Sequence, residues 1–194
     1  MRNIIILLTM IVLFGCSSPI EKVTNGKSCT DCDLRGADLS GLTLRNIDLS
    51  NSDLSNANLS NTVFENVNLA NANLNNADLI NIKTTYFDDD IEDILIEHNI
   101  RQNKIQTSFF KADLSGANLS ESIFEYTFFD EADLTNANLT GSSFKRGSLN
   151  NADLTNANLT GSSFDDTSLK NTNLTNANLT GSSFKRGSLN NADL

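Results

Sequence analysis

A five-residue period governs most of this chain. From Cys32 the sequence reads CDLRG ADLSG LTLRN IDLSN SDLSN ANLSN TVFEN VNLAN ANLNN ADLIN as far as Asn81. The same frame returns at Thr107 and runs to Leu194. Leu or Phe holds the centre of each unit, a small or medium residue lies two places earlier, and Asp or Asn mostly stands between them. Five matches neither the 3.6-residue repeat of an amphipathic helix nor the alternation of a strand. A chain can bury one large and one small side chain per five residues only by turning a corner in every unit.

A longer period counts the corners. Residues 132–151 (ADLTNANLTGSSFKRGSLNN) recur at 152–171 as ADLTNANLTGSSFDDTSLKN and at 172–191 as TNLTNANLTGSSFKRGSLNN, a super-period of 20 residues. Phe124, Phe144, Phe164 and Phe184 keep the same spacing. Four units per turn describe a square solenoid. The pattern A(D/N)LXX over 32–81 and 107–194 resembles the pentapeptide-repeat family. That resemblance implies an all-β fold, a right-handed quadrilateral β-helix, with the central Leu or Phe and the small residue before it facing inward. In that frame Leu34, Leu54, Leu74, Leu114, Leu134, Leu154 and Leu174 stack along one face. Phe64, Phe124, Phe144, Phe164 and Phe184 stack along another. Coils lie about 4.7–4.9 Å apart. Each buried Leu or Phe contributes roughly 1.5–3 kcal/mol before entropy is subtracted, and stability accumulates coil by coil.

The N-terminus reads MRNIIILLTMIVLFGCSS. Arg2 precedes an apolar run of 11 residues, Ile4 to Phe14, whereas a spanning helix needs about 20. The run therefore reads as a signal peptide, residues 1–15. Leu13-Phe14-Gly15-Cys16 resembles the lipobox of bacterial lipoproteins, which implies cleavage before Cys16 and lipidation of that residue. Several acyl chains anchor a protein stably where one does not. Residues 16–31 are expected to be a lipidated tether and the solenoid's N-terminal edge, with Ser17 to Ser28 as the tether. Ser17 after the cysteine resembles the outer-membrane pattern of Gram-negative lipoproteins. Cys29 and Cys32 lie in that edge. An oxidising compartment favours a disulfide between them, while Cys32 in an inward slot equally suits a buried thiol.

Residues 82–106 interrupt the period as IKTTYFDDDIEDILIEHNIRQNKIQ. Ile82 to Tyr86 still pass as a degenerate unit, leaving 20 residues from Phe87 as an excursion. Asp88, Asp89 and Asp90 suit a helix N-terminus, and Ile91, Ile94, Leu95 and His98 follow helical spacing. A short amphipathic helix is expected over roughly 88–100. In the repeat frame Phe110 and Phe128 point outward with Tyr126 near them, and exposed aromatics need cover. Ile91, Ile94 and Leu95 are expected to pack on them.

Few functional classes survive the composition. The formal charge is −10, which disfavours phosphate backbones and so nucleic acid. The single histidine, His98, has no partners for a zinc cluster or a triad. The acidic run lacks the glycine that an EF-hand loop needs at its sixth place, where Asp93 stands. No metal, cofactor or catalytic site is expected. Two outward columns, Glu125, Lys145, Asp165, Lys185 and Tyr126, Arg146, Asp166, Arg186, read as a ladder of exposed pairs that fixes register. Outward threonine columns such as Thr135, Thr155 and Thr175 follow from repeat duplication, although ice-binding solenoids carry similar arrays.

The chain is therefore expected to be a lipid-anchored solenoid in a bacterial envelope, with a structural role or an as yet unknown protein partner. The alternative is an acidic mimic of DNA that binds DNA gyrase, as some members of the resembled family do. The sequence stops at Leu194, three residues into a unit. Solenoid ends need a cap or a partner, so a continuation of the chain or an end-to-end homodimer is expected.

Overall fold

The computed structural model describes residues 18–84 and 107–193. They form a quadrilateral β-helix whose coils pair in parallel, on either side of the interruption at an offset of 20 residues, as in Asp33↔Asp53, Asp113↔Asp133 and Ser163↔Ser183. Most walls make one bridge pair per coil. On one face the walls lengthen into strands β1 (Thr43–Arg45), β2 (Val63–Glu65) and β3 (Lys83–Thr84), which pair in that order.

The unit around Leu59 shows why five residues suffice for a wall and a corner. The Asn58 amide donates to Ala37 O of the preceding coil at 2.9 Å. The Leu59 and Asn61 amides donate to Asp78 O (2.7 Å) and Ile80 O (2.9 Å) of the following coil. The Thr62 amide closes the corner on Leu59 O at 3.1 Å. Each corner places its third residue at positive φ, Asn61 at 59°, where asparagine is tolerated far better than most residues. Asparagine fills half of these corners and also links them between coils. Asn171 Nδ2 donates to Asn151 Oδ1 at 3.0 Å, and Asn191 Nδ2 to Asn171 Oδ1 at 3.2 Å.

The interior is a stack of leucines and phenylalanines, among them Leu54, Leu114, Leu154, Phe124 and Phe144, all fully buried. Inward hydroxyls two places before the centre are buried too, and several of them bond between coils. Ser52 Oγ donates to Cys29 O (2.8 Å), Thr62 Oγ1 to Leu39 O (3.0 Å) and Thr167 Oγ1 to Phe144 O (2.7 Å). At Gly147 the Thr127 carbonyl comes so close that an added Cβ would lie 2.7 Å from it. That slot requires glycine for want of space.

Three expectations need correction. The stretch expected to be a tether is folded from Ser18 onward, with helix α1 over Pro19–Thr24. Ser18 is its N-cap and accepts the Glu21 amide at 3.1 Å, with Pro19 in the first turn. The Gly26 and Lys27 amides close the far end on Val23 O and Lys22 O, both at 2.9 Å, a Schellman arrangement with Gly26 at φ 69°. Val23 is 1% exposed and joins the core, so α1 covers the first coil.

The solenoid also starts before Cys32. The Cys29 amide donates to Asp48 O at 2.8 Å, as a central residue does, and Cys29 is buried in the slot that leucine fills elsewhere. Nor does the insert begin at 82, because Ile82 is fully buried and Lys83–Thr84 pair with β2. Across the interruption the pairing offset becomes 40 residues, as in Asn68↔Ser108 and Lys83↔Ile123.

The third correction follows from that offset. Thr84 lies between Phe64 and Phe124 in their column, so Phe64 packs on Phe109 instead, ring centroids 6.2 Å apart. From Phe124 upward the stack runs as expected, at 5.3, 5.0 and 5.1 Å between successive rings to Phe184. Phe109 and Phe129 make a second, parallel stack at 4.5 Å.

Candidate functional site

The outer surface is a set of columns, and the residue before each central Leu or Phe sets their chemistry. Its Asp or Asn oxygen accepts the amide two places on, as Asp53 Oδ1 does from Ser55 at 3.0 Å and Asn158 Oδ1 from Thr160 at 3.2 Å. The threonine columns are engaged in the same turns. Thr155, Thr160 and Thr175 donate their hydroxyls to Asp153, Asn158 and Asn173 at 2.5–2.7 Å.

Charge is paired column by column. Arg35 Nη2 lies 2.7 Å from Asp33 Oδ2, Arg45 Nε 2.7 Å from Glu65 Oε2, and Lys111 Nζ 3.2 Å from Glu131 Oε2. Arg186 grips both oxygens of Asp166 at 2.6 Å, and Arg146 bonds the Tyr126 hydroxyl with its guanidinium 5.4 Å from the ring centroid. The expected ladder of ion pairs along Glu125, Lys145, Asp165 and Lys185 is a correction. None of the ion pairs among the described residues runs along that column. Asp165 Oδ1 instead accepts the Ser183 hydroxyl (2.5 Å) and the Lys185 amide (2.9 Å), because short side chains and backbone reach it directly.

The hydrogen bond from Arg35 brings the Asp33 carboxyl from its ordinary 3.8 down to about 2. Ser183 lowers Asp165, Arg186 lowers Asp166 and Ser40 lowers Asp38, each by side-chain hydrogen bonding. A carboxyl lowered by folding stabilises the fold fully above its unfolded pKa and loses that contribution as pH falls through its folded pKa. The melting temperature is therefore expected to fall between pH 3.8 and about 2. The fall should be modest, since these groups are exposed, and smaller in Asp33→Asn; thermal melts across that range check it.

The sequence-predicted residues divide into three groups. Cys29 and Cys32 are joined in a disulfide with Cα atoms 5.6 Å apart, in the first coil beneath α1. Phe110 and Phe128 are exposed by 37% and 42% on one wall, and Tyr126 is half-buried at the adjoining corner. Cys16, Ile91, Ile94 and Leu95 lie outside the described residues. Two neighbours escaped sequence reasoning. Ile123 is 41% exposed across the corner, and Lys111 Nζ lies 5.0 Å from the Phe110 ring centroid. Ile123 carried a legible signal, since Lys83, Ser143, Ser163 and Ser183 hold the same place in other coils. Among the described residues no three His, Cys, Asp or Glu converge on a metal position, and no helix is long and apolar enough to cross a membrane.

The family described as pentapeptide repeats matches residues 28–66 and 47–83, and the description "Pentapeptide repeat region" matches 117–194. The chain belongs to the pentapeptide-repeat family. No curated protein matches this pentapeptide-repeat chain. Among solved structures, a trypsin-treated form of QnrB1, a plasmid-mediated fluoroquinolone resistance protein, is similar with a TM-score of 0.60 and 17% identity, over 86% of this chain and 84% of that one. HetL, a pentapeptide repeat protein involved in heterocyst differentiation regulation from the cyanobacterium Nostoc sp. strain PCC 7120, is 21% identical over 90% and 92% of the two chains, with a TM-score of 0.29. At these identities the likeness to QnrB1 establishes the fold alone.

Proposed function

We propose that this protein is a lipid-anchored pentapeptide-repeat solenoid that acts as a structural or protein-binding element of a bacterial envelope. The observation that carries the proposal is Leu13-Phe14-Gly15-Cys16 at the end of an apolar run too short to span a bilayer. Two further features support it. The disulfide between Cys29 and Cys32 suits an oxidising compartment. Ser18, two residues after the proposed lipid, is already the N-cap of α1. In a Gram-negative cell, Ser17 directs the protein to the outer membrane. The surface supports binding rather than catalysis, because its carboxylates are spent on turns and ion pairs within repeated columns.

The test is to express the full chain in a bacterium. The wild type is expected to partition into detergent with acyl mass on Cys16, and Cys16→Ala to leave the membrane fraction. A Cys16→Ala form as membrane-bound as the wild type would refute the anchor.

The acidic DNA-mimic reading draws on the fold shared with QnrB1. It has less support, since Lys145, Lys170, Lys185 and both arginines at 146 and 186 interrupt the acidic columns of the upper coils. Six of the acidic residues, against two basic ones, fall within 85–106 rather than on the described solenoid. Protection of gyrase supercoiling from a quinolone by the unexported chain would favour it.

A further inference from the structure

Four large apolar side chains are exposed among the described residues: Ile20, Phe110, Ile123 and Phe128. Three of them lie close in the frame: Ile123 and Phe128 stand on the walls either side of the turn at Glu125 and Tyr126, and Phe110 lies at the far end of the second wall, one coil below Phe128. They also break their own columns, for Phe128 shares its place with Ser108, Ser148 and Ser168, and Ile123 with Lys83, Ser143 and Ser163. Large exposed apolar residues stand in these outward columns only at this height among the described residues, for Val63 in the Ile123 column is partly buried. Thr84 and Thr107, which bound residues 85–106 in the sequence, lie at the same height. Thr84 donates its amide to Ile123 O at 2.8 Å and its hydroxyl to the same oxygen at 3.1 Å. On the return, the Phe128 amide donates to Thr107 O at 3.3 Å. The two residues that bound the segment are thus hydrogen-bonded to Ile123 and Phe128 of this apolar surface.

We infer that the apolar surface carrying Phe110, Ile123 and Phe128 is a docking surface for this chain's own segment 87–106, engaged through Ile91, Ile94 and Leu95. Three arguments select this occupant. A segment of this length tethered at both ends has an effective concentration of about millimolar at this surface, which a separate partner does not match. Its composition is complementary, since Ile91, Ile94 and Leu95 supply apolar side chains of the kind that cover exposed apolar ones. Its 20 residues equal four units, so the solenoid frame is kept whether or not the segment is present, and the apolar surface serves the segment rather than the stack.

The inference is independent of the lipid anchor and is tested on the full chain by fluorescence of an apolar dye, with circular dichroism as the check on folding. The wild type is expected to bind little dye. Ile91→Asp, Ile94→Asp and Leu95→Asp together are expected to raise dye fluorescence several-fold with the β signal unchanged. Adding Phe110→Asn, Ile123→Ser and Phe128→Ser should return it to the wild-type level. Those three replacements match residues already found in the same columns, so they leave folding intact. Equal dye binding by the wild type and the aspartate variant would overturn the inference. So would low wild-type binding only at concentrations where sedimentation shows a dimer, since a second copy would then be the occupant. Solenoid-face variants that leave the raised fluorescence unchanged would overturn it as well.

Discussion

Truncating Phe144 to alanine is expected to lower the free energy of unfolding by about 3–5 kcal/mol. The ring is fully buried and stands between Phe124 at 5.3 Å and Phe164 at 5.0 Å, with Phe129 meeting it edge-on at 5.3 Å. A globular core could shrink around the lost ring. Here the coils above and below are held apart by backbone hydrogen bonds, Phe144 N to Ser163 O at 2.8 Å and Ser143 N to Ser122 O at 2.9 Å. Their spacing is fixed at about 4.8 Å, so the cavity remains and its full cost is felt. Phe184 occupies the same column but is half-exposed at the last described coil, so Phe184→Ala should cost distinctly less. Urea unfolding of the two variants measures both, and equal losses would show that stacking between coils is not what holds these rings.

The second large effect contrasts removal of a whole coil with removal of one residue. Deleting residues 152–171 joins Asn151 to Thr172 in frame and brings Phe144 opposite Phe184. The shortened chain is expected to fold cooperatively, with stability reduced by roughly one coil's share. Deleting Gly161 alone shifts every later residue by one place. Phe164, Leu169 and Leu174 then leave their inward slots, each forfeiting roughly 1.5–3 kcal/mol of burial, and polar neighbours enter the core. The coils beyond residue 160 are expected to unravel. Circular dichroism and limited proteolysis separate the outcomes: the first deletion should leave a resistant solenoid, and the second should leave a resistant fragment ending near residue 160.

Both expectations rest on a fold that is unusually legible in the amino-acid sequence. The reason is that every unit repeats the same local problem. A central Leu or Phe, a small inward residue and an Asn at the corner specify wall and turn within five residues, and the 20-residue period brings identical solutions into contact. The exposure of Phe110 and Phe128 followed from position in the frame alone, because inward and outward slots alternate without regard to the rest of the molecule.

The cap was legible too, but its residues signify by position rather than by kind. Ser18, Pro19 and Glu21 make a helix start, and Asn25-Gly26 a helix stop, yet as bare composition they suggest a loop. Cys29 concealed the first unit because it replaces leucine there, and only the bond from its amide to Asp48 O reveals the slot.

By itself, then, the sequence determined the corner, the four faces and the residues that line the core, since these depend on contacts within a unit or one period away. The tertiary structure alone decided what depends on which coil lies next: the partner of Phe64, the space denied at Gly147, the bonding of Asp165, and the exposure of Ile123 on the wall beside that of Phe128. The partner of Phe64 turns on the interruption between Thr84 and Thr107, where the pairing offset becomes 40 residues, and the others turn on contacts between adjacent coils that no single unit contains.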